Sequence, residues 1–131
     1  MAKTVSGNRQ EIRRGLVKKA DYLFSLLIRW RDKKCVICGT VVGLECSHYY
    51  GKKARPQLRW NQYNAVAMCH TCHVEWHSGN RQPFDEYMKE WLGSERYENL
   101  GRYSSSQVVT VEWLESIVER MKKRCKELGL I

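Results

Sequence analysis

The chain has 131 residues, with 23 Lys and Arg against 14 Asp and Glu and a formal net charge of +9. That length suits one domain with a modest core and argues against two independent ones. No run of about 18 apolar residues is present and the first residues lack a signal-peptide stretch, so the expectation is a cytoplasmic protein with no membrane partner. The charge is uneven: residues 1–60 carry 14 basic and 4 acidic side chains, and residues 61–131 carry 9 and 10. A basic first half with interspersed aromatics fits a nucleic-acid partner, because each cation that neutralises a phosphate releases a condensed counterion.

In chain order, residues 8–32 read as a basic helix, with Ile12, Leu16, Ala20, Leu23, Leu27 and Trp30 at three- and four-residue steps. Its other face carries Arg13, Arg14 and Lys18, which either follow a phosphate backbone or form an ordinary solvated face. From Cys35 to Gly51 the sequence is β-branched and punctuated by Gly39 and Gly43. It predicts a hairpin with strand segments at Val36-Ile37, Val41-Val42 and Cys46 to Tyr50. The loop that follows bears Lys52, Lys53, Arg55 and Arg59 around Pro56 and reads as an exposed, strand-gripping segment. Arg55 and Arg59 are the candidates for bidentate contact with phosphate, while Tyr49, Tyr50 and Trp60 read as core residues.

A helix is expected from Asn64 or Met68 to about Ser78, and another from Pro83 to Gly93. Residues 94–108 read as polar turns. A last helix follows Thr110 as N-cap, with Val111, Leu114, Val118, Met121 and Leu128 on one face. The whole is a single 1–131 domain of α+β class, divided into a basic helix (8–32), a central core (33–82) and a helical C-terminal part (83–131).

Six cysteines in a cytosolic chain point to metal rather than disulfides. Cys35-x2-Cys38 and Cys69-x2-Cys72 are two knuckles that each present two thiolates on a tight turn, as tetrahedral Zn²⁺ requires. Four thiolates close the coordination sphere, so this zinc is structural and chemistry must come from other residues. A redox role fits poorly, since one knuckle would suffice for it. Cys46 and Cys125 read as small hydrophobes.

All four histidines lie between residues 48 and 77, interleaved with the knuckles. His73 and His77 are four apart on the predicted helix and share a face, where they either hold one divalent ion or stand as two surface residues.

Cys46-Ser47-His48, then Asn64, then Cys69-x2-Cys72-His73, resembles the His, Asn, His signature of the HNH (ββα-metal) nucleases. Within that superfamily, LFSLLIRWRDKKCVIC, CSHYYGKKARPQLRWNQYNA and CHTCH…SGN are similar to the phage NinG/Rap recombination proteins, over about residues 18 to 100. The resemblance implies a zinc-stabilised ββα-metal core flanked by N- and C-terminal helices. It also implies a metal-dependent endonuclease acting on branched DNA such as Holliday junctions and D-loops, in the host cytoplasm. Carried over by position, the general base falls on His48, the loop-bracing asparagine on Asn64, and the divalent-ion residues on His73 and His77. The chain departs from the pattern at Ser47, where many HNH enzymes have an Asp or His ligand, and at His73, where relatives often have Asn.

Phosphodiester hydrolysis needs a deprotonated water and a cation to offset charge on the phosphate, tasks suited to His48 and to Mg²⁺ or Mn²⁺ at His73 and His77. Imidazole ligands favour Mn²⁺. A homodimer would supply the paired incisions that a junction requires. The alternative is a zinc-stabilised nucleic-acid-binding module without catalysis.

Overall fold

The computed structural model describes residues 5–53, 55–103 and 108–131. Its elements are helix α1 (Val5–Asp32), strand β1 (Leu44–His48), a short 3-10 turn (Pro56–Leu58), strand β2 (Ala65–Cys69), and helices α2 (His70–His77), α3 (Gln82–Arg102) and α4 (Val111–Glu127). This is a small α+β architecture, divided by its contacts into two compact units, Met1–Leu27 with Gln107–Ile131, and Ile28–Ser106. Among the described residues no helix is long and apolar enough to cross a membrane.

The first unit is built from the N-terminal part of α1 and from α4. Ala20, Leu23 and Phe24 are its buried residues on α1, and Val111, Leu114, Ile117, Val118 and Cys125 on α4. The buried side of α1 is rotated from the expected one: Ile12 is 53% exposed and Trp30 38%, while Phe24 and Ile28 are buried. The run from residue 20 to 28 contains more apolar residues than one stripe can hold, so periodicity alone offers two overlapping faces. Thr110 caps α4 as expected, its hydroxyl accepting from the Trp113 N–H at 3.1 Å.

The second unit holds the antiparallel pair β1–β2, in register from Leu44↔Cys69 to His48↔Ala65. The strands differ from the expected hairpin. Val36-Ile37 and Val41-Val42 form no strand; they belong to the first knuckle and its exit, where Val41 and Val42 are 71% and 75% exposed. The partner of β1 is instead Ala65–Cys69, in the stretch assigned to the start of a helix, and α2 begins only at His70. An apolar run as short as AVAMC suits a buried strand and a buried helix turn equally well, and all five residues are buried.

The second edge of β2 is also covered. Ala67 N–H donates to the Asp32 carboxylate at 2.8 Å, its carbonyl accepts from Val36 N–H at 3.0 Å, and Arg31 donates to the Ala65 carbonyl at 2.7 Å. The end of α1 thus satisfies backbone groups that a two-stranded sheet would leave open. α2 packs on both strands. Beyond it, Trp76, Phe84 and Tyr49 form an aromatic cluster, with the Trp76 and Phe84 ring centroids 4.7 Å apart and those of Tyr49 and Phe84 5.0 Å apart.

α3 continues through residues 94–102, expected to be polar turns, while residues 104–107 of that expected stretch lie outside the described residues. Gly93, at φ 76° and ψ 164°, interrupts it without ending it, so two helical stretches meet there and the second buries Leu100. Glycine is suited to that left-handed φ, and a helix stop is indistinguishable in sequence from such a joint.

Candidate functional site

The sulfurs of Cys35, Cys38, Cys69 and Cys72 all lie within 4.8 Å of one another. The Cys38 and Cys69 sulfurs are 3.7 Å apart, matching the edge of about 3.8 Å in a tetrahedron with Zn–S bonds of about 2.3 Å. Each pair is shaped locally. Cys35 N–H donates to the Thr40 carbonyl at 2.8 Å and Gly39 N–H to the Cys35 carbonyl at 2.9 Å, with Gly39 at φ 82°. Cys69 is the N-cap of α2 and its sulfur accepts from Cys72 N–H at 3.5 Å.

Burial pushes the Cys35 thiol up, but the N–H groups of Cys38, Cys69 and Ile37 outweigh it and bring it to about 6. Burial and the neighbouring sulfurs raise Cys72. Cys35 is therefore poised as a thiolate, and the four converging sulfurs fit zinc. Cys125 lies elsewhere, buried, and Cys46 is half-buried.

His48, the last residue of β1, has Nε2 2.7 Å from the Arg59 carbonyl. A carbonyl only accepts, so the ring proton sits on Nε2 and Nδ1 is the basic nitrogen. Asn64 is fully buried and holds the intervening loop together. Its Oδ1 accepts from Tyr50 N–H at 2.9 Å, and its Nδ2 donates to the carbonyls of Tyr50 at 3.0 Å and Leu58 at 3.1 Å. The residue after Leu58 supplies the carbonyl that His48 uses.

On α2, the Nε2 atoms of His73 and His77 are 3.0 Å apart. That distance is a hydrogen bond between the two rings, and it also equals the separation of about 3.0 Å between neighbouring ligands of an ion with bonds of about 2.1 Å, so the pair could hold a hard or borderline divalent cation. The sequence reading missed Glu45, which engages two of the histidines: Oε1 lies 2.9 Å from His73 Nδ1 and Oε2 3.2 Å from His70 Nδ1. The His73 hydrogen bond, with help from His70, holds the Glu45 carboxyl below the usual glutamate range. Alternation along β1 puts Glu45, Ser47 and the following Tyr49 on one side of the strand and His48 on the other. Ser47 is buried, and its hydroxyl finds no hydrogen-bond partner among the described residues.

The histidines are linked through the fold rather than by direct contact. Tyr49, next to His48, stacks on Trp76, next to His77, at 5.6 Å. The last turn of α2 therefore lies beside the end of β1. Tyr49 also donates to Asp85 at 2.6 Å and meets the Tyr97 hydroxyl at 2.7 Å, and burial together with Asp85 raises its hydroxyl.

The predicted phosphate-binding residues divide. Lys52 and Lys53 are exposed in the β1–β2 loop, as are Arg14 and Lys18 on α1. Arg55 spends Nη1 on the carbonyls of Gly101 at 2.6 Å and Tyr103 at 3.2 Å, with its guanidinium 4.3 Å over the Tyr50 ring. Arg59 lies 5.3 Å over Trp60, and Arg13 donates to the Val109 carbonyl.

A family model described as "NinG: Bacteriophage Lambda NinG protein" matches residues 6–130. The chain is 28% identical over 116 residues to "Protein ninG" of Escherichia phage lambda, covering 86% of this chain and 56% of that protein. It is similarly 28% identical to "Protein ninG" of Escherichia phage 933W and 27% identical to that of Salmonella phage P22, with the same 86% of this chain and 57% of each relative covered. The chain thus spans little more than half the length of these relatives. No solved structure matches it.

Proposed function

We propose that this chain, which belongs to the NinG family, is a metal-dependent DNA endonuclease of the HNH type that acts on branched DNA. The observation that carries the reading is the pairing of His48 Nε2 with the Arg59 carbonyl at 2.7 Å. A histidine held in that tautomer has Nδ1 as its basic nitrogen, the form a general base for hydrolysis needs.

In this reading His48 Nδ1 takes the proton from the attacking water. Asn64 keeps the loop closed so that the Arg59 carbonyl stays in place, and His73 and His77 hold a divalent ion, Mg²⁺ or Mn²⁺. When bound, that ion supplies charge compensation on the scissile phosphate. The four cysteines hold a structural zinc that fixes the first knuckle against β2 and α2. Lys52 and Lys53 meet the phosphate backbone; for Arg55, whose Nη1 is bound to carbonyls, shaping the loop is the larger role.

The test compares cleavage of a four-way junction and a matched linear duplex with Mg²⁺ or Mn²⁺ by the wild type and by His48→Ala, with binding measured on the zinc-loaded proteins without added Mg²⁺ or Mn²⁺. The expected result is a loss of about 10²–10⁴-fold in cleavage with binding retained, and a preference for the junction. Binding by both proteins with cutting by neither would replace this reading with a non-catalytic nucleic-acid-binding module.

A further inference from the structure

We infer that Glu45 is a positioning residue for the divalent ion, acting through the imidazole of His73; the inference rests on the reading of His73 and His77 as the ion's ligands. A carboxylate can only accept, so the 2.9 Å contact of Glu45 Oε1 with His73 Nδ1 places the ring proton on Nδ1. The lone pair is then on Nε2, the atom that stands 3.0 Å from His77 Nε2. The two nitrogens lie on opposite edges of the ring, so the carboxylate is separated from the ion position and does not touch the ion.

This is the arrangement in which an outer carboxylate fixes the tautomer and heading of a ligating histidine and raises its basicity. Glu45 is well placed for it. It sits on a strand whose neighbours are fixed by pairing with β2, opposite Met68, and its other oxygen is held by His70 at 3.2 Å. His73 is only 24% exposed, so its ring has restricted freedom once Glu45 is engaged. Among the described residues, only the four cysteines bring three or more ligand atoms within 4.8 Å of one another. The histidine pair would thus supply two protein ligands to a divalent ion. With so few protein ligands, the orientation of each governs affinity.

The experiment titrates zinc-loaded protein with Mn²⁺, following loss of the free-ion electron paramagnetic resonance signal, for wild type, Glu45→Ala, Glu45→Gln and His73→Ala. Zinc content and circular dichroism are recorded in parallel. Glu45→Ala should bind Mn²⁺ about 10–100-fold more weakly at unchanged zinc content. Glu45→Gln, whose amide oxygen still accepts from Nδ1, should fall between it and wild type. Equal Mn²⁺ affinity in Glu45→Ala and wild type, with loss in His73→Ala, overturns the role of Glu45 and leaves the site reading intact. Unchanged affinity in His73→Ala overturns both.

Long-range ¹H–¹⁵N spectra of the zinc-loaded wild type, recorded without Mn²⁺, give a readout that does not depend on any variant folding. Neutral His73 protonated on Nδ1 supports the inference, and protonation on Nε2 overturns it.

Discussion

Replacing Asn64 with Ala should destabilise the protein far more than a typical polar substitution. The side chain is fully buried and makes three hydrogen bonds, one to Tyr50 N–H and two to the carbonyls of Tyr50 and Leu58. Each such bond contributes about 1 kcal/mol net, and groups stranded without a partner add to the cost. The bonds to Tyr50 are part-buried and water recovers some of the loss there, while the one to Leu58 is buried, so about 2–3 kcal/mol is expected. That is a large share of a typical total of about 5–15 kcal/mol. At a urea dependence of about 2–3 kcal/mol per molar, the unfolding midpoint should fall by about 1 M. Asn64→Asp keeps the oxygen facing Tyr50 N–H but turns a second oxygen toward two carbonyls. The introduced carboxyl is best protonated in the folded state, so its folded pKa lies above the unfolded value of about 4. Relative to wild type, the variant should therefore be least destabilised at acid pH and lose further stability as pH rises through that interval. Because the same loop carries the Arg59 carbonyl, both variants should also lose cleavage. A midpoint for Asn64→Ala within about 0.2 M of wild type would refute the bracing role.

Zinc removal should unfold the Ile28–Ser106 unit, because the binding free energy of a structural four-ligand site, about 10–16 kcal/mol, matches or exceeds the whole stability of a small domain. Chelation, or Cys35→Ser, should remove most of the near-ultraviolet circular dichroism, since four of the five tryptophans lie in that unit, with release of one zinc per chain; a near-ultraviolet spectrum unchanged in the zinc-free protein would contradict this. Tyr49→Phe removes the 2.6 Å bond to Asp85 and the 2.7 Å contact with Tyr97. It should cost about 1–3 kcal/mol in urea unfolding while leaving zinc content unchanged.

Several features of the site were legible in the chain because they depend on short spacings. A C-x2-C knuckle fixes its own two sulfurs, and the four sulfurs do converge. His73 and His77 four apart on a helix must share a face, and their ring nitrogens meet. The amphipathic pattern and Thr110 cap of α4 are likewise local.

What tertiary structure alone decided involves partners distant in sequence. Glu45 resembles any acidic strand residue until α2, 25–28 residues later, lays His70 and His73 against it. Arg55 has the composition of a phosphate clamp, yet Gly101 and Tyr103 take up one of its nitrogens. Ala65–Cys69 became a strand because β1 on one side, and Asp32, Arg31 and Val36 on the other, offered its backbone partners. Local apolar content cannot express that choice, because a buried five-residue run satisfies a helix or a sheet equally until a neighbour supplies the hydrogen bonds.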